Sequence, residues 1–355
     1  MQFFQKNSDI KLIAGPCSAE NREQILNTAK ELSLLDKRII FRAGVWKPRT
    51  RPNTFLGAGD IALNWLNEVQ KKLGLYVSTE VAEPEHVEKV LKAGIKIVWI
   101  GARTSSNPFS VQKIANALAG TGLSVMVKNP QYPDVDLWIG NIERLLQNGI
   151  NDIAAIHRGF FPYEKHAYRN IPKWEVPIEL KRRLPDLTIF CDPSHISGKR
   201  QYIHEISQRA LDLNFKGLMI ETHINPVEAL SDKNQQFDIK QFKELLESLK
   251  WRRQVAEDET LNRLIDDIRE KIDCVDSQLL ELLQLRMKYV DEIGNYKKEH
   301  NVSVFQLKRW ANILETRLKQ AESIGLPDDF VHKLLEMIHK ESIRRQSEIL
   351  RNNNN

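Results

Sequence analysis

Short apolar runs recur at regular intervals over the first 250 residues, and longer amphipathic segments separate them. Each run has three or four residues rich in Ile, Val, Leu and Phe, which is typical of a buried strand. The segments between the runs repeat apolar residues at steps of three and four, which predicts helices. The predicted strands are residues 11–14, 39–42, 76–78, 97–100, 124–127, 153–156, 188–191 and 217–220, and the predicted helices include 23–35, 60–73, 85–93 and 135–147.

This repeated order of strand and helix indicates an α/β fold. Short buried strands that alternate with helices form a parallel sheet through right-handed crossovers. Eight such units over about 240 residues match a closed (β/α)₈ barrel, the TIM barrel. An open doubly wound sheet is the alternative. No glycine-rich fingerprint follows any predicted strand, so a dinucleotide-binding domain is not favoured.

The pattern changes after residue 250, where no further β-rich run occurs and Pro327 is the only proline. Apolar residues at steps of three and four from Leu261 to Ile293 predict one helix of about 40 residues, roughly 60 Å long. Two more helices are predicted at 305–323 and 328–350. We therefore expect a barrel over residues 1–250, a charged linker over 251–259, and an all-helical module over 260–355 that ends in a disordered asparagine tail. A module of this size cannot cover so long an apolar helix, so we expect a homodimer or a larger assembly through it.

Composition excludes several classes of protein. The chain is 41% hydrophobic and 28% charged, and its net charge of +5 is not concentrated in blocks, so nucleic acid is not an expected partner. No apolar run approaches the roughly 18 residues of a membrane span. The N-terminus lacks the apolar core of a signal peptide, and three cysteines are too few for a disulfide framework. We expect a cytoplasmic protein.

Polar clusters follow the last two predicted strands. The first cluster contains Asp192, Ser194 and His195, and the second leads to Glu221 and Asp232. The carboxyl ends of barrel strands meet at one face, so these side chains are expected to lie close together. Cys17, which follows the first strand, would complete a set of sulfur, nitrogen and oxygen ligands for a divalent metal. Each residue taken alone is equally compatible with an ordinary loop.

Cations follow the other strands. Six are expected on the same rim, and they are Arg42, Lys47, Arg49, Arg103, Lys128 and Arg158. Arginine binds phosphate and carboxylate with two parallel hydrogen bonds, and lysine adds a point charge. Two anionic substrates, at least one of them phosphorylated, would account for so many cations. Solvated loop residues are the alternative.

These strand-end motifs resemble those of 3-deoxy-D-arabino-heptulosonate 7-phosphate (DAHP) synthase, in its compact type I form. The matching runs are AGPCS, FRAGVWKPRT, IGART, VKN, HRG, DPSH and ETH with ALSD. The resemblance implies metal ligation by Cys17, His195, Glu221 and Asp232, phosphoenolpyruvate binding by Arg42, Arg103, Lys128 and Arg158, and erythrose 4-phosphate binding by Pro48, Arg49 and Thr50. It also implies that Lys47 reaches the reacting centre. The expected catalytic groups are Lys47 or a metal-bound water, as the proton donor to the new alkoxide, and Glu80, in activating the water that adds.

The resemblance leaves two alternatives to decide. The related 3-deoxy-D-manno-octulosonate 8-phosphate synthases typically carry Ala-Asn-Arg-Ser where this chain has Pro48-Arg49-Thr50, which favours erythrose 4-phosphate over arabinose 5-phosphate. For the metal, Mn²⁺ is the leading expectation, and the mixed ligand set also suits Fe²⁺, Co²⁺ or Zn²⁺.

Polar residues interrupt the apolar stripes of the helical module. Arg286 and Lys297 lie on the stripe of the long helix, and Ser342 and Gln346 on that of the last helix. An unpaired buried charge costs several kcal/mol, and an anionic ligand would relieve that cost. The alternative is a coiled-coil dimerisation arm whose polar positions set the register.

Residues 258–350 resemble the all-helical chorismate mutases, through IREKIDCVDSQLLELLQLRMKYVDEIGNYK, VSVFQLKRW and MIHKESIRRQ. The resemblance implies a chorismate or prephenate pocket formed by Arg269 of a partner chain and by Arg286, Lys297, Arg309, Ser342 and Gln346. The chain departs from the family at Gln306 and Trp310, where acidic residues are common.

Together these resemblances imply a bifunctional transferase and isomerase of the shikimate pathway. Prephenate or chorismate is the expected feedback effector, acting through the helical module. The alternatives are a catalytically weak effector-sensing module, a purely dimerising module, and an octulosonate 8-phosphate synthase barrel.

Overall fold

The computed structural model describes residues 3–6, 11–48, 54–252 and 258–351. The chain divides into two compact units, residues 1–254 and 255–355. Arg49 and Thr50, most of the expected linker and the asparagine tail lie outside the described residues.

The first unit is a closed barrel of eight parallel strands, which confirms the predicted fold and excludes the open sheet. Each strand pairs with its neighbours in chain order, and β1 closes the barrel against β8. The strands are β1 (Leu12–Gly15), β2 (Ile40–Arg42), β3 (Tyr76–Val81), β4 (Ile97–Ile100), β5 (Ser124–Lys128), β6 (Ile153–His157), β7 (Thr188–Cys191) and β8 (Gly217–Glu221).

Helices surround the barrel and connect its strands. The helices of this unit are α1 (Phe3–Lys6), α2 (Arg22–Leu35), α3 (Ile61–Leu73), α4 (Pro84–Lys92), α5 (Ala102–Ser105), α6 (Pro108–Leu118), α7 (Val135–Gln147), α8 (Glu175–Arg183), α9 (Pro193–Ser197), α10 (Ile203–Asp212) and α11 (Ile239–Ser248), with a 3₁₀ turn at Arg200–Tyr202. Two of these helices begin at a residue whose side chain accepts a backbone N–H of the first turn. The Asn21 side chain accepts the Gln24 N–H at the start of α2, and Asp134 accepts the Leu137 N–H at the start of α7.

Strand residues alternate between two apolar layers, because successive side chains of a strand point to opposite faces. One layer fills the barrel interior, and the other packs between the sheet and the helices. The interior layer comprises Phe4, Ile13, Ile40, Ile97, Trp99, Met126, Ala154, Ile156, Phe190 and Met219. The barrel is therefore a packed core with no open channel through this layer.

Helix α1 closes the amino-terminal end of the barrel. Phe4 is 5% exposed and packs edge to face on Phe190, with 6.1 Å between ring centroids. The Asp152 carboxylate accepts the backbone N–H groups of Phe3 and Phe4 at 2.6 and 2.9 Å. These bonds satisfy the first backbone donors of the helix, which have no partner within it.

The second unit has three helices, α12 (Glu259–Glu299), α13 (Leu307–Ser323) and α14 (Asp328–Arg351). This confirms the predicted long helix, which has 41 residues. Within residues 258–351, the buried residues of α12 are Val290 and Gly294 alone. Leu261, Ile272 and Leu279, farther along the same helix, are 46%, 53% and 52% exposed. A single copy of this unit therefore leaves most of the apolar face of α12 in contact with water.

None of the helices in the described part of the chain is long and apolar enough to cross a membrane.

Because α1 closes one end of the barrel, we expect its residue Phe4 to contribute to the stability of the barrel. Phe4→Ala removes a buried ring from the interior layer, and it should lower the free energy of unfolding of the barrel by about 3 kcal/mol. Urea denaturation of the full chain, followed by tryptophan fluorescence, measures this change. Phe109→Ala is the matched control, because Phe109 is 79% exposed, and it should leave the transition unchanged. Equal transitions for the two variants would show that α1 does not contribute to the core.

Candidate active site

The polar site lies directly above the interior apolar layer of the barrel. Side chains two residues apart on a strand point to the same side of the sheet. The residue two positions after an interior apolar residue therefore also points into the barrel, and in several strands this residue is charged. Met126 is followed in this way by Lys128, and Met219 by Glu221. The inward charged positions are Arg42, Glu80, Lys128, Arg158, Asp192 and Glu221. Because all eight strands are parallel, these side chains meet at the carboxyl-terminal end of the barrel.

The four predicted metal ligands come together at this end. One ligand atom each from Cys17, His195, Glu221 and Asp232 lie within 4.8 Å of one another. The Cys17 thiol donates to Oδ2 of Asp232 at 3.1 Å. Nε2 of His195 lies 3.6 Å from Oε1 of Glu221. The chain thus collects four donors from four segments, of which the outermost, those of Cys17 and Asp232, are 215 residues apart in sequence.

His195 is oriented by Asp192, a residue to which the sequence assigned no role. The Asp192 carboxylate accepts the His195 backbone N–H at 3.0 Å, and its Oδ2 lies 2.8 Å from Nδ1 of the ring. Lys128 donates to the same Oδ2 at 2.6 Å. Burial lowers the pKa of His195 and keeps the ring neutral. A neutral ring whose Nδ1 faces a carboxylate presents the Nε2 lone pair to the cluster.

The charges of the cluster suit a cation. Burial, together with the Glu221 carboxylate, raises the pKa of the Cys17 thiol to about 12. Burial also opposes ionisation of Glu221, but His195 in its protonated form and Arg42 outweigh it, and the pKa of Glu221 lies below its ordinary value. Anionic carboxylates beside a buried thiol repel further negative charge, and a divalent ion would relieve this repulsion and stabilise the thiolate. The donor set therefore fits a metal of the expected kind.

Arg42 lies beneath the rim, contrary to the expectation that all six cations converge there. Its side chain is fully buried. Its Nη1 donates to Oε1 of Glu221 at 2.7 Å, and its Nη2 to the Cys17 carbonyl at 2.9 Å. The guanidinium also lies 4.8 Å from the centre of the Trp99 ring. In this structure Arg42 holds two predicted ligand residues in place, and its assignment to phosphoenolpyruvate stays a prediction.

A cavity of about 180 Å³ opens beside the cluster. It is lined by Lys47, Pro48, Glu80, Gly101, Ala102, Arg103, Lys128, Gln131, Arg158, Phe161, Arg169, Asn170, His195 and Asp232. Gly101 leaves room for Glu80, because a Cβ at this position would collide with the Glu80 carboxylate. Burial, followed by the charge of Arg169, lowers the pKa of Arg158 to about 10, so Arg158 remains cationic at neutral pH.

Two lining residues, Arg169 and Asn170, were missed by the sequence analysis. Arg169 donates to Oδ1 of Asp232 at 2.9 Å. Asn170 donates to the His195 carbonyl at 2.7 Å and accepts from Nη1 of Arg158 at 2.8 Å. Both lie in the long segment between β6 and α8, away from any strand end, so neither periodicity nor strand position indicates them.

His157 is the last residue of β6 and directly precedes Arg158, but it points outward. Its ring packs against Phe160, Trp174 and Phe215, and burial lowers its pKa to about 3. It is therefore a packing residue outside the cavity. Cys191 is likewise buried in the outer layer.

In the helical unit, one chain brings together only part of the predicted pocket. Arg286 on α12 donates to the Ser342 hydroxyl on α14 at 2.8 Å. Gln346 lies one turn beyond Ser342, and its buried Oε1 has no hydrogen-bond partner among the described residues. Lys297 donates to the Val304 carbonyl at 2.6 Å. A polar patch on the α12–α14 contact thus retains an unused acceptor.

The remaining predicted pocket residues, Arg269 and Arg309, lie on the surface of the unit. Arg309 is exposed, and Arg269 is exposed and pairs with Asp266. Arg269 and Arg286 are 17 residues apart on one straight helix, a separation of about 25 Å. They cannot contact the same small ligand within one chain. Trp310, where the sequence departs from the resemblance, stacks on His339 with 4.0 Å between ring centroids.

Comparison with protein families matches both units. The model of the DAHP synthetase I family matches residues 4–257, and the model of chorismate mutase type II matches residues 268–347. The chain is 33% identical over 244 residues to a phospho-2-dehydro-3-deoxyheptonate aldolase of Thermotoga maritima, covering 69% of this chain and 70% of that protein. It is 33% identical over 81 residues to the T-protein of Enterobacter agglomerans, of whose length it spans 22%.

A more distant relative and two solved structures also match the barrel unit. A 2-dehydro-3-deoxyphosphooctonate aldolase of Azoarcus is 26% identical over 258 residues, covering 67% of this chain and 89% of that protein. The crystal structure of the Thermotoga maritima DAHP synthase superposes with a TM-score of 0.59 at 31% identity, covering 67% of each chain. Its truncated form superposes with a TM-score of 0.58 at 28% identity, covering 73% of this chain and 87% of that one. The chain therefore belongs to the DAHP synthetase I family, and it carries a chorismate mutase type II domain after its barrel.

Proposed function

We propose that the barrel condenses phosphoenolpyruvate with D-erythrose 4-phosphate and water to give DAHP and phosphate. The observation that carries this proposal is the cavity itself. It places Arg103, Lys128 and Arg158 beside four potential metal ligands. A phosphorylated carboxylate and a phosphorylated aldehyde need this combination of anion-binding groups and an electrophilic centre.

The deeper cations are suited to phosphoenolpyruvate. Lys128 is 5% exposed, and its amino group approaches Asp192, so it is held rigidly at the base of the cavity. Arg158 is fixed by its bond to Asn170. A pre-positioned guanidinium and ammonium bind carboxylate and phosphate with little loss of side-chain freedom. Arg103 lies on α5 directly after β4, on the same cavity wall as Glu80.

The predicted erythrose 4-phosphate residues begin at the rim. Pro48 lines the cavity beside Lys47, and the two residues after it lie outside the described part of the chain. We propose that Arg49 and Thr50 receive the sugar phosphate, which would place the aldehyde carbon toward Lys47.

A divalent ion held by Cys17, His195, Glu221 and Asp232 would act as a Lewis acid toward the aldehyde and orient the two substrates. Mn²⁺ is the ion that we propose first, with Fe²⁺, Co²⁺ and Zn²⁺ as alternatives. The side chains supply the proton transfers. The enol carbon of phosphoenolpyruvate forms the new C–C bond with the aldehyde carbon, and Lys47 gives its proton to the resulting alkoxide.

Water completes the reaction. It adds to the carbon that bears the phosphate oxygen, which has become electron-poor, and Glu80 accepts a proton from it. The C–O bond then breaks, and phosphate leaves with its bridging oxygen. Glu80 is 9% exposed and lies on the cavity wall, so it faces the substrates and not bulk water.

The substrate assignment predicts a preference between two aldehydes. Phosphoenolpyruvate consumption, followed by loss of its ultraviolet absorbance, should be fast with erythrose 4-phosphate and slow with arabinose 5-phosphate. A strong chelator should abolish it, and added Mn²⁺ should restore it. Faster turnover of arabinose 5-phosphate would instead identify an octulosonate 8-phosphate synthase, and activity that survives the chelator would contradict the metal centre.

The assignment of Cys17 as a metal ligand predicts what happens when its sulfur atom is replaced by oxygen. Cys17→Ser should fold normally but lose most of its bound metal and most of its activity, because a neutral hydroxyl is a far weaker ligand than a thiolate. Metal content by atomic emission is measured beside the rate. Cys191→Ser is the control, since Cys191 is buried in the outer apolar layer, and it should retain its metal. Full metal content in Cys17→Ser would refute the assignment.

We propose that the helical unit converts chorismate to prephenate as a dimer. The exposed apolar face of α12 supports dimerisation, because a second copy would remove it from water. The 25 Å between Arg269 and Arg286 supports a pocket shared between chains. The rearrangement needs no acid, base or nucleophile, only restraint of the dicarboxylate and hydrogen bonds to the ether oxygen. Arg286, at its bond with Ser342, marks where a donor to the carboxylates or the ether oxygen would stand. Oε1 of Gln346 can only accept, so it would receive the hydroxyl of the substrate.

We propose further that prephenate or chorismate in this pocket inhibits the barrel. Both compounds are products of the pathway that the barrel reaction begins, so binding in the helical unit would report downstream supply. Such coupling typically amounts to 1–3 kcal/mol and is reciprocal for binding.

The shared pocket predicts complementation between two inactive variants. Arg269→Ala and Arg286→Ala should each lose chorismate turnover and inhibition by prephenate, while the uninhibited condensation rate stays unchanged. When the two chains are co-expressed, about a quarter of the chorismate turnover should return. Half of the randomly assembled dimers are mixed, and each mixed dimer has one intact pocket of two.

Arg344→Ala is the control for this experiment, because Arg344 is exposed and, within the described part of the chain, pairs with Glu341 and Glu348 of its own helix. It should leave turnover and inhibition unchanged. No recovery on co-expression would contradict the shared pocket. An intact chain that binds prephenate without turning over chorismate would be a sensor, and one that does neither would have a purely dimerising helical unit.

A further inference from the structure

Two adjacent glutamines, Gln235 and Gln236, are almost completely buried beside the predicted metal ligands. Gln235 is 1% exposed, and Gln236 is fully buried. Burying an amide costs free energy unless its donors and acceptor find partners. Both side chains are satisfied at both ends, and every partner belongs to a segment that carries a metal ligand or to Arg169, which contacts one.

Gln235 connects two of the ligand carboxylates. Its Nε2 donates to Oε2 of Glu221 at 2.7 Å. Its Oε1 accepts from Nη1 of Arg169 at 3.0 Å, and the same Nη1 donates to Oδ1 of Asp232 at 2.9 Å. Glu221 therefore receives one hydrogen bond on each oxygen, from Arg42 on Oε1 and from Gln235 on Oε2. Two bonds at opposite oxygens fix the rotation of the carboxylate plane.

Gln236 connects the other two segments. Its Oε1 accepts the backbone N–H of Cys17 at 2.9 Å. Its Nε2 donates to the Ser231 carbonyl at 2.7 Å, one residue before Asp232. The Ser18 and Ser231 hydroxyls also meet, at 2.5 Å. The segment after β1 and the loop that carries Asp232 are thereby held at a fixed distance.

The partners leave no freedom in the orientation of either amide. Arginine and a backbone N–H can only donate, and a carbonyl or an ionised carboxylate can only accept. The oxygen of Gln235 must therefore face Arg169, and the oxygen of Gln236 must face Cys17. Reversing either amide would place donor against donor and acceptor against acceptor.

We propose that Gln235 and Gln236 are positioning residues that set the spacing of Cys17, Glu221 and Asp232 for metal binding. Neither side chain lines the substrate cavity. One dipeptide thus joins three ligand residues that come from three segments of the barrel. This inference rests on the proposed metal centre, and it assigns the affinity of that centre to residues that bind neither metal nor substrate.

The test uses the full chain, stripped of metal, with Co²⁺ as the probe. Thiolate-to-cobalt charge transfer in the near ultraviolet reports Cys17 ligation directly, without any enzymatic turnover. Gln235→Met and Gln236→Met preserve side-chain length and remove both hydrogen bonds. Each should weaken Co²⁺ binding by about 10- to 100-fold, and the charge-transfer band should shift because the ligand geometry relaxes.

Gln235→Asn and Gln236→Asn provide a milder second pair. Asparagine keeps the amide but is one methylene shorter, so it can reach only one of its two partners. Binding should fall to a value between those of the parent chain and the methionine variants. These variants decide the question if a methionine variant does not fold.

Gln241→Met is the matched control. Gln241 completes the capping box of α11 with Asp238, so its loss should lower stability without touching the ligand segments. Its Co²⁺ affinity and spectrum should equal those of the parent chain, even if its urea midpoint falls. Parent-like affinity and spectra in all four Gln235 and Gln236 variants would overturn the positioning role. No thiolate band in the parent chain would refute the metal centre itself, which is a separate failure.

Discussion

The period of two along eight parallel strands is the constraint on which the rest of the barrel depends. It assigns alternate residues to the interior and to the helix-facing layer, so an apolar interior residue is followed two positions later by another inward residue. At the carboxyl-terminal end these later positions are charged, as at Lys128, Asp192 and Glu221. The apolar layer beneath them excludes water from below, and this strengthens the interactions between the charges. A strand shifted by one residue would send its charge into the helix-facing layer and an apolar side chain into the site.

Charge balance is the second constraint, since several ionisable groups are buried together. The two fully buried carboxylates at this end, Glu221 and Asp192, have cationic or polar donors. Glu221 receives Arg42 and Gln235, and Asp192 receives Lys128. Breaking one such pair leaves an uncompensated charge, which costs several kcal/mol. The same pairs keep the oxygens oriented for a cation, so the stability of this end of the barrel and its readiness for a metal depend on the same contacts.

Much of the fold and part of the site could be predicted from the sequence, because both follow from strand periodicity. Lys128 and Glu221 come directly after short apolar runs, and their positions follow once the strands are known. The position of Arg42 below the rim could not be predicted, because strand order alone does not show how deep a side chain reaches. Arg169, Asn170 and the two glutamines lie in loops whose course depends on tertiary contacts. The proposal of a mutase pocket shared between chains came from helix length, which is a local property, and from resemblance.

The filled barrel interior also determines the route by which substrates enter the barrel and products leave it. With Phe4 and the apolar layer blocking the amino-terminal end, substrates and products of the barrel share the mouth at the opposite end. In the proposed arrangement, the compound held by Lys128 lies deeper than the one that reaches Lys47 and Pro48 at the rim. Entry is then sequential, with phosphoenolpyruvate first, and an aldehyde that arrives early would obstruct its partner. In the same arrangement, phosphate is released at the deeper position, and it can leave only after the sugar product has dissociated from the rim. The compound bound nearer the rim therefore enters last and leaves first.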